Sequence, residues 1–308
     1  MLNGLLNLIR SHGGRGVVVP FSRTTDLQRE LLELKNGDFH TTIIDMMSNH
    51  MNGDGIRFLP PDIGFEPRSV ITIVMPVTKT TVFFTRSGEL IPATLPPIYN
   101  GFDTLNETVT KYVSDHLTPL GFSATAAWLP QKMLAVHCGL AQYGRNNVTY
   151  SDEFGSYMQI ITLVSDLPCD DGVWLPLTRM ESCESCSACV NACPTGALDA
   201  QRRLVAADNC ITAANENGGA FPDWAKAVAH NSVVGCTKCQ DCCPANAHNR
   251  DNVVTGMTFT EEETAELLSN DGTIPFSETL AAKTAAVGIS AYYCTPDVLP
   301  RNVAALLN

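Results

Sequence analysis

Residues 183–194 read CESCSACVNACP, so four cysteines follow one another at spacings of two, two and three residues, with a proline after the last. This is the spacing of bacterial ferredoxins, in which three thiolates on one tight loop reach three corners of a 4Fe–4S cubane. The fourth cysteine lies where the loop turns into a helix and ligates the other cluster. The spacing therefore predicts one cluster at Cys183, Cys186 and Cys189, and a second cluster that takes Cys193.

A second motif, CTKCQDCCP at residues 236–244, repeats this pattern with one cysteine fewer. Cys210 lies upstream and can supply the missing ligand. Cys242 is an alternative to its neighbour Cys243, but Cys243 keeps the three-residue spacing and precedes Pro244. The predicted ligands of the first cluster are Cys183, Cys186, Cys189 and Cys243, and those of the second are Cys193, Cys210, Cys236 and Cys239.

Zinc is the alternative occupant, because structural zinc also takes four thiolates from paired Cys-x2-Cys units. Structural zinc does not require the third cysteine, the Cys-Pro ending or the near-duplication of both. Nine of the twelve cysteines lie between Cys183 and Cys243, which is a metal-site distribution rather than a set of disulfides. We therefore predict an iron–sulfur redox protein, an oxidoreductase or electron-transfer protein, with two 4Fe–4S clusters.

The composition restricts the location and the partners. The 308 residues are 44% hydrophobic, with a formal net charge of −12. No apolar run approaches the ~20 residues that a membrane span needs. The start of the chain, at residues 1–14, is too interrupted for a signal peptide, and we predict a cytoplasmic protein with no membrane partner. The acidic balance disfavours a nucleic-acid partner, since such affinity comes largely from Lys and Arg at the phosphates.

Strand-like and helix-like patterns alternate before the cysteines and predict a mixed α/β core. Pro130 suits the first turn of a helix that ends near Gly139 or Gly144, and Thr104 and Glu107 form a capping-box pattern. Apolar runs predict three buried strands, with a fourth segment, 80–85, pairing near the second of them. The predicted strands are 16–21, 69–77 and 157–164, and the predicted helices are 25–34, 104–117, 261–268 and 303–307.

The predicted fold class is an α/β (α+β) core of the cobalamin-binding type with an inserted ferredoxin-like double 4Fe–4S module. The cobalamin part of that prediction comes only from the resemblance described next. The strand order stays open. The predicted domains are the core at 1–172, the cluster module at 173–250 and a tail at 251–308 that packs on the core.

Three segments outside the cysteine motifs carry a resemblance to a known family: Gly139–Asn146 (GLAQYGRN), Phe154–Leu167 (FGSYMQIITLVSDL) and Leu299–Leu306 (LPRNVAAL). With the cysteine motifs, the chain resembles the cobalamin-dependent iron–sulfur reductases, the group of the epoxyqueuosine reductases and reductive dehalogenases. The resemblance covers about residues 65–308. It implies electron flow from an external low-potential donor of the ferredoxin or flavodoxin type through both clusters to cobalamin and then to substrate.

The same resemblance implies a site at the Gly-Leu segment. Arg145 would contact a cobalamin side chain or an anionic substrate, unless it forms a surface ion pair. Tyr143 and His137 are the candidate catalytic proton donors. Tyr143 is otherwise a half-buried core residue, and His137 a structural histidine or a lower cobalt ligand. The implied cofactor-binding residues are Gly139, Leu140, Gly144, Arg145, Asn146 and Asn147.

Two departures from epoxyqueuosine reductases lead to an expectation about the substrate. Their Asp-x-x-Pro segment, whose Asp donates the proton, corresponds to residues 125–130 (TAAWLP), and no acid occurs from Gly121 to Arg145. The chain also ends before the helical repeats that many of them add for tRNA. We therefore expect a small organic substrate rather than epoxyqueuosine in tRNA. The alternatives are an electron carrier that has lost cobalamin and a protein that reduces or carries corrinoids for another enzyme.

Overall fold

The mixed α/β architecture predicted from the sequence is confirmed. A computed structural model describes residues 2–36, 63–201, 204–226, 228–289 and 293–307. The chain forms two compact units, the first from Met1–Pro76 with Leu105–Ser185 and the second from Val77–Thr104 with Cys186–Asn308. The division into 1–172, 173–250 and 251–308 stays a prediction.

Both units contain helices and strands, which we number in chain order. The helices are α1 (Leu2–Ser11), α2 (Arg23–Asn36), α3 (Phe102–Leu117), α4 (Gln131–His137), α5 (Ala188–Ala192), α6 (Ile211–Glu216), α7 (Asp223–Lys226), α8 (Lys238–Asp241), α9 (Glu261–Ser269), α10 (Glu278–Val287) and α11 (Leu299–Leu307). The strands are β1 (Arg15–Pro20), β2 (Ser69–Pro76), β3 (Lys79–Arg86), β4 (Glu89–Leu95), β5 (Ala124–Ala126), β6 (Gln142–Tyr143), β7 (Thr149–Tyr150), β8 (Met158–Ser165) and β9 (Val253–Phe259).

The first unit is built on an antiparallel sheet of order β1-β2-β8-β5. Its two central strands are buried along almost their whole length, and Ile73 pairs with Ile161. Successive side chains of a strand point to opposite faces. Ile71 and Ile73 therefore pack with α1 and α3, while Val70 packs with α2 and α4. Apolar residues on both faces explain why these strands read as unbroken hydrophobic runs.

The second unit contains a sheet of order β4-β3-β9, in which β9 runs parallel to β3. Phe84 of β3 stacks on Phe259 of β9 with ring centroids 4.8 Å apart. Helix α9 begins with a capping box between Thr260 and Glu263, which satisfies two of the backbone N–H groups at its start. These rings and the apolar faces of α9, α10 and α11 form one hydrophobic core.

The predicted strands at 16–21, 69–77 and 157–164 are confirmed as β1, β2 and β8. The predicted helices are confirmed as α2, α3, α9 and α11, and the helix after Pro130 as α4. Helix α4 ends at His137 because Gly139, with φ +68°, turns the chain into the left-handed region. Among the described residues, no helix has the length and apolarity to span a membrane.

Two details of the sequence-based prediction are wrong. Segment 80–85 does not pair with β2, because it lies in β3 and forms a hairpin with β4 through Ser87 and Gly88, both of which have positive φ. A two-residue turn with that backbone favours pairing with the next strand in the chain. Thr104 and Glu107 do not cap α3, since the helix begins two residues earlier, at Phe102.

Candidate functional site

Two short helices of the second unit reproduce the near-duplication of the cysteine motifs. Helices α5 and α8 pack against each other, and each is followed by a Cys-Pro pair. Cys193 (φ −72°, ψ 115°) and Cys243 (φ −73°, ψ 124°) have the same extended backbone. Proline disfavours the helical conformation in the residue before it. Cys242, with φ −82° and ψ −10°, is still helical, so the backbone favours Cys243 as the counterpart of Cys193.

Three of the four cysteines predicted for the second cluster lie close together. Burial, with a smaller contribution from the neighbouring Cys210 and Cys193, raises the pKa of the Cys236 thiol to about 11. The Thr195 hydroxyl donates to the carbonyl oxygen of Asn209, which ties the turn after Cys193 to the residue before Cys210. Cys210, which lies between the two motifs in sequence, is thus close to a cysteine of each motif.

The surroundings of Cys193 suit a cluster ligand. Burial acts to raise the pKa of its thiol, but hydrogen bonds from Thr195 and from the backbone at Ala197 and Leu198 outweigh this and lower the pKa. Such donors stabilise a thiolate, which is the form that ligates iron. Near the other motif, burial and then the neighbouring Cys243 and Cys186 raise the pKa of Cys242.

Cys183, the first predicted ligand of the first motif, lies in the first unit and is buried. The Arg145 guanidinium donates through Nη2 to the carbonyl oxygen of Cys183 and, at 3.2 Å, to that of Glu184. The arginine assigned to cofactor or substrate by resemblance therefore contacts the cluster-bearing loop. The sequence could not reveal this contact, because the two residues are 38 positions apart.

The rest of the Gly-Leu segment forms a tight turn. An added Cβ at Gly144 would come within 2.5 Å of the Tyr150 ring, so only glycine fits there. The buried Asn146 donates to the Tyr150 hydroxyl at 2.8 Å, and Asn147 has φ +61°. Asn146 therefore lies in a turn, and these residues fix the backbone that carries Arg145.

Gly139 and Leu140 line a cavity of about 260 Å³ in the first unit. Arg15 and Glu153, which form a salt bridge at 2.6 Å, line the same cavity. Pockets for drug-sized ligands span about 300–1,000 Å³, and cobalamin is considerably larger than such ligands. The cavity therefore does not fit a corrin.

The two candidate proton donors share a carboxylate that the sequence did not reveal. His137 is buried, its Nδ1 donates to the Leu175 carbonyl oxygen at 2.6 Å, and its Nε2 lies 2.9 Å from Glu30 Oε2. One proton must lie between Nε2 and the carboxylate, since neither group can bond otherwise. Burial raises the pKa of the Tyr143 phenol well above its usual range, and the nearby Glu30 adds to this. No sequence signal linked Glu30 to His137, which lies 107 residues away.

The Leu-Pro-Arg-Asn element lies at the start of α11 and contacts α6 and the loop that follows α6. Arg301 donates to the carbonyl oxygens of Gly219 and Ala214, the latter at 3.0 Å, and its guanidinium lies 4.0 Å from the centre of the Phe221 ring. Asn302 donates to the carbonyl oxygen of Asn215 at 2.9 Å. Both residues therefore anchor α6, the helix that begins directly after Cys210.

Residues 182–246 match the family described as the 4Fe-4S double cluster binding domain. In sequence, the chain is 32% identical over 118 residues to the epoxyqueuosine reductase of Bacillus subtilis, which covers 38% of this chain and 29% of that protein. A crystal structure of a selenomethionine-labelled epoxyqueuosine reductase aligns over 99% of this chain and 80% of its own, with TM-score 0.69 and 18% identity. An epoxyqueuosine reductase solved with a modified tRNA-Tyr stem loop aligns over the same shares, with TM-score 0.66 and 17% identity.

The match at residues 182–246 gives the class of the protein: it is an iron–sulfur protein with a double 4Fe–4S domain. The resemblance to epoxyqueuosine reductases predicted from the sequence is confirmed: part of the chain is similar to them in sequence, and its fold is similar to theirs. The matched segment spans less than a third of the length of the Bacillus relative.

The sequence-based expectations about partners need correction. Net charge and missing motifs favoured a small organic substrate and disfavoured nucleic acid and epoxyqueuosine in tRNA. The structural neighbour solved with a tRNA stem loop contradicts this. A net charge of −12 sums over the whole chain and does not describe any single surface, and four acidic residues lie in α9 alone.

Proposed function

We propose that this protein is an iron–sulfur reductase that acts on a modified nucleoside in tRNA and uses cobalamin as its final electron carrier. The proposal rests on two findings taken together. Residues 182–246 match a double 4Fe–4S domain, and the fold aligns over 99% of the chain with an epoxyqueuosine reductase. The reductase activity, the tRNA substrate and the cytoplasmic location are parts of this proposal.

The cluster ligands follow from the motifs and the grouping of the thiols. Each cubane accepts and passes on one electron at a time, and its potential depends on charge, hydrogen bonds and solvent exposure. The proximity of Cys236, Cys210 and Cys193 supports the second set, and that of Cys186, Cys242 and Cys243 supports the first. The proposed sets are Cys183, Cys186, Cys189 and Cys243, and Cys193, Cys210, Cys236 and Cys239.

Cobalamin is proposed from the family resemblance of residues 139–147 alone, and the cavity lined by Gly139 and Leu140 gives it no support, since that cavity is too small for a corrin. When bound, cobalamin supplies a strongly reducing cobalt centre. Titration of the protein with cobalamin should shift the corrin absorbance. No shift at micromolar cobalamin would remove this cofactor from the proposal and leave the clusters in place.

His137 and Tyr143 are the proposed proton donors, with Glu30 as their partner. Reductive cleavage of a carbon–oxygen bond needs a proton, and a positioned acid typically contributes on the order of 10²–10⁴ in rate. One proton lies between His137 Nε2 and Glu30 Oε2, and the Tyr143 phenol stays protonated because burial raises its pKa. These groups offer a proton that position 125, a threonine, does not.

Single-turnover reduction of a modified tRNA stem loop tests the proposal. The protein is loaded with cobalamin, reduced chemically and mixed with an epoxyqueuosine-containing stem loop, with an authentic family enzyme as control. We expect loss of the epoxide within one turnover, and at least a tenfold slower reaction in Tyr143→Phe, as befits removal of a general acid. Binding without conversion would disprove the reductase, and no binding would disprove the tRNA substrate.

One observation favours a second candidate, a corrinoid-reducing protein with no substrate of its own. Thr125, at the position where the resemblance expects an acid, lies in β5 and pairs with Val164 of β8. Reduction of free cobalamin by the protein, with no conversion of any stem loop, would favour this candidate.

A further inference from the structure

Two backbone hydrogen bonds of Tyr143 join the segment that carries Arg145 to the stretch that leads to Cys183, the first predicted cluster ligand. The Tyr143 N–H donates to the Thr178 carbonyl oxygen and the Met180 N–H donates to the Tyr143 carbonyl oxygen, both at 2.9 Å. Five residues after Thr178 the chain reaches Cys183, whose carbonyl oxygen accepts from Arg145. All of these residues belong to the first unit.

We propose that Arg145 is a positioning residue of the first cluster, and that its charge raises the reduction potential of that cluster. Its fork of N–H groups holds two successive carbonyl oxygens, those of Cys183 and Glu184. A guanidinium stays charged at all working pH values. The inference rests on the proposed ligand role of Cys183, and it is independent of the tRNA substrate and of cobalamin.

The direction of the effect follows from the charges. When a cubane accepts one electron from a chemical reductant, its net charge becomes more negative by one and no bond breaks. A nearby positive charge stabilises the reduced form more than the oxidised form, so the potential rises. Arg145 is half-buried, which reduces the screening by water and salt.

The chain offers variants that separate charge from position. Arg145→Gln removes the charge, while Arg145→Lys keeps the charge but cannot hold two carbonyl oxygens in a planar fork. Arg10→Gln is the matched control, since Arg10 is exposed on α1 and donates to Asn7. The measurement is an anaerobic potentiometric titration of the purified protein, followed by the electron paramagnetic resonance of both reduced clusters, with iron counted in each variant.

In Arg145→Gln we expect the equilibrium constant for reduction of one cluster to fall about tenfold. For a one-electron couple this lowers the reduction potential by ~59 mV. Arg145→Lys should show a smaller fall, and Arg10→Gln none. If Arg145→Gln lacks a cluster, selective loss of one cluster supports the positioning role, and the Lys variant then carries the test of potential. Unchanged potentials in both variants, or equal shifts of both clusters, would overturn the inference.

A further variant, Cys183→Ser, distinguishes an error in the inference about Arg145 from an error in the ligand assignment. Cys183→Ser should remove or alter the same cluster that Arg145 affects. If Cys183→Ser leaves both clusters intact, the proposed ligand set is wrong. If it disrupts one cluster while the Arg145 variants leave that cluster's potential unchanged, only the inference about Arg145 is wrong.

Discussion

The two cysteine motifs differ in how they reach four cysteines. Four cysteines of the first motif follow one another within eleven residues, 183–193, so the local chain is enough to present them. The second motif, at residues 236–244, is one cysteine short of this spacing and is completed by Cys210, which lies 26 residues before Cys236. Local spacing can specify the first arrangement, whereas the second depends on packing that places a distant residue.

The structure contains that packing. The Thr195 hydroxyl bonds to the residue before Cys210, and Asn302 of α11 bonds to the carbonyl oxygen of Asn215 in α6. Asn215 in turn donates to the carbonyl oxygen of Gly235, directly before Cys236, at 2.8 Å. We therefore expect the second cluster to depend on α11 as well as on its cysteines.

The largest effect should come from Cys210. Replacing it by serine removes the ligand that completes the second set, so we expect iron to fall from about eight to about four per chain in anaerobically purified protein. Cys294→Ser is the control, because Cys294 packs against the core of the second unit and belongs to neither cysteine motif. Iron that stays at about eight in Cys210→Ser would show that the second set does not need the distant cysteine.

Cys242 and Cys243 provide a sharper comparison within one motif. Cys243→Ser should change the resonance signal of one reduced cluster, because Cys243 has the same backbone as Cys193. Cys242→Ser should leave both signals unchanged. The opposite pattern would make Cys242 the ligand and would remove the equivalence between the two Cys-Pro turns.

Arg301 tests the anchoring of the second set. Its replacement by methionine leaves the carbonyl oxygens of Gly219 and Ala214 without this donor, and bonds to a charged group are worth about 1.5–3 kcal/mol. We expect the unfolding free energy to fall by about 2–3 kcal/mol, with faster loss of iron from one cluster. Arg250→Met is the control, since Arg250 forms only a 3.9 Å ion pair with its neighbour Asp251 and such pairs contribute about 0–1 kcal/mol. Equal losses in both variants would show that α11 does not support the cluster module.

The sequence determined the cofactor class and most of the elements. Cysteine spacing alone identified the double-cluster domain, because three closely spaced cysteines on one loop can reach three corners of a cubane. Mainly apolar runs located the central strands β2 and β8, since strands buried on both faces are rich in apolar residues. Both signals are local, and local signals are what a sequence displays directly.

Only the tertiary structure decided which distant residues meet. Glu30 reaches His137 across 107 residues, and Arg145 reaches the Cys183 loop across 38. The pairing of β3 with β9 joins segments more than 160 residues apart, and nothing in the local sequence predicts it. Such contacts arise when buried faces of separate elements pack together and leave polar groups that must find partners. No single segment of the sequence determines these contacts, and the proposed role of Arg145 depends on one of them.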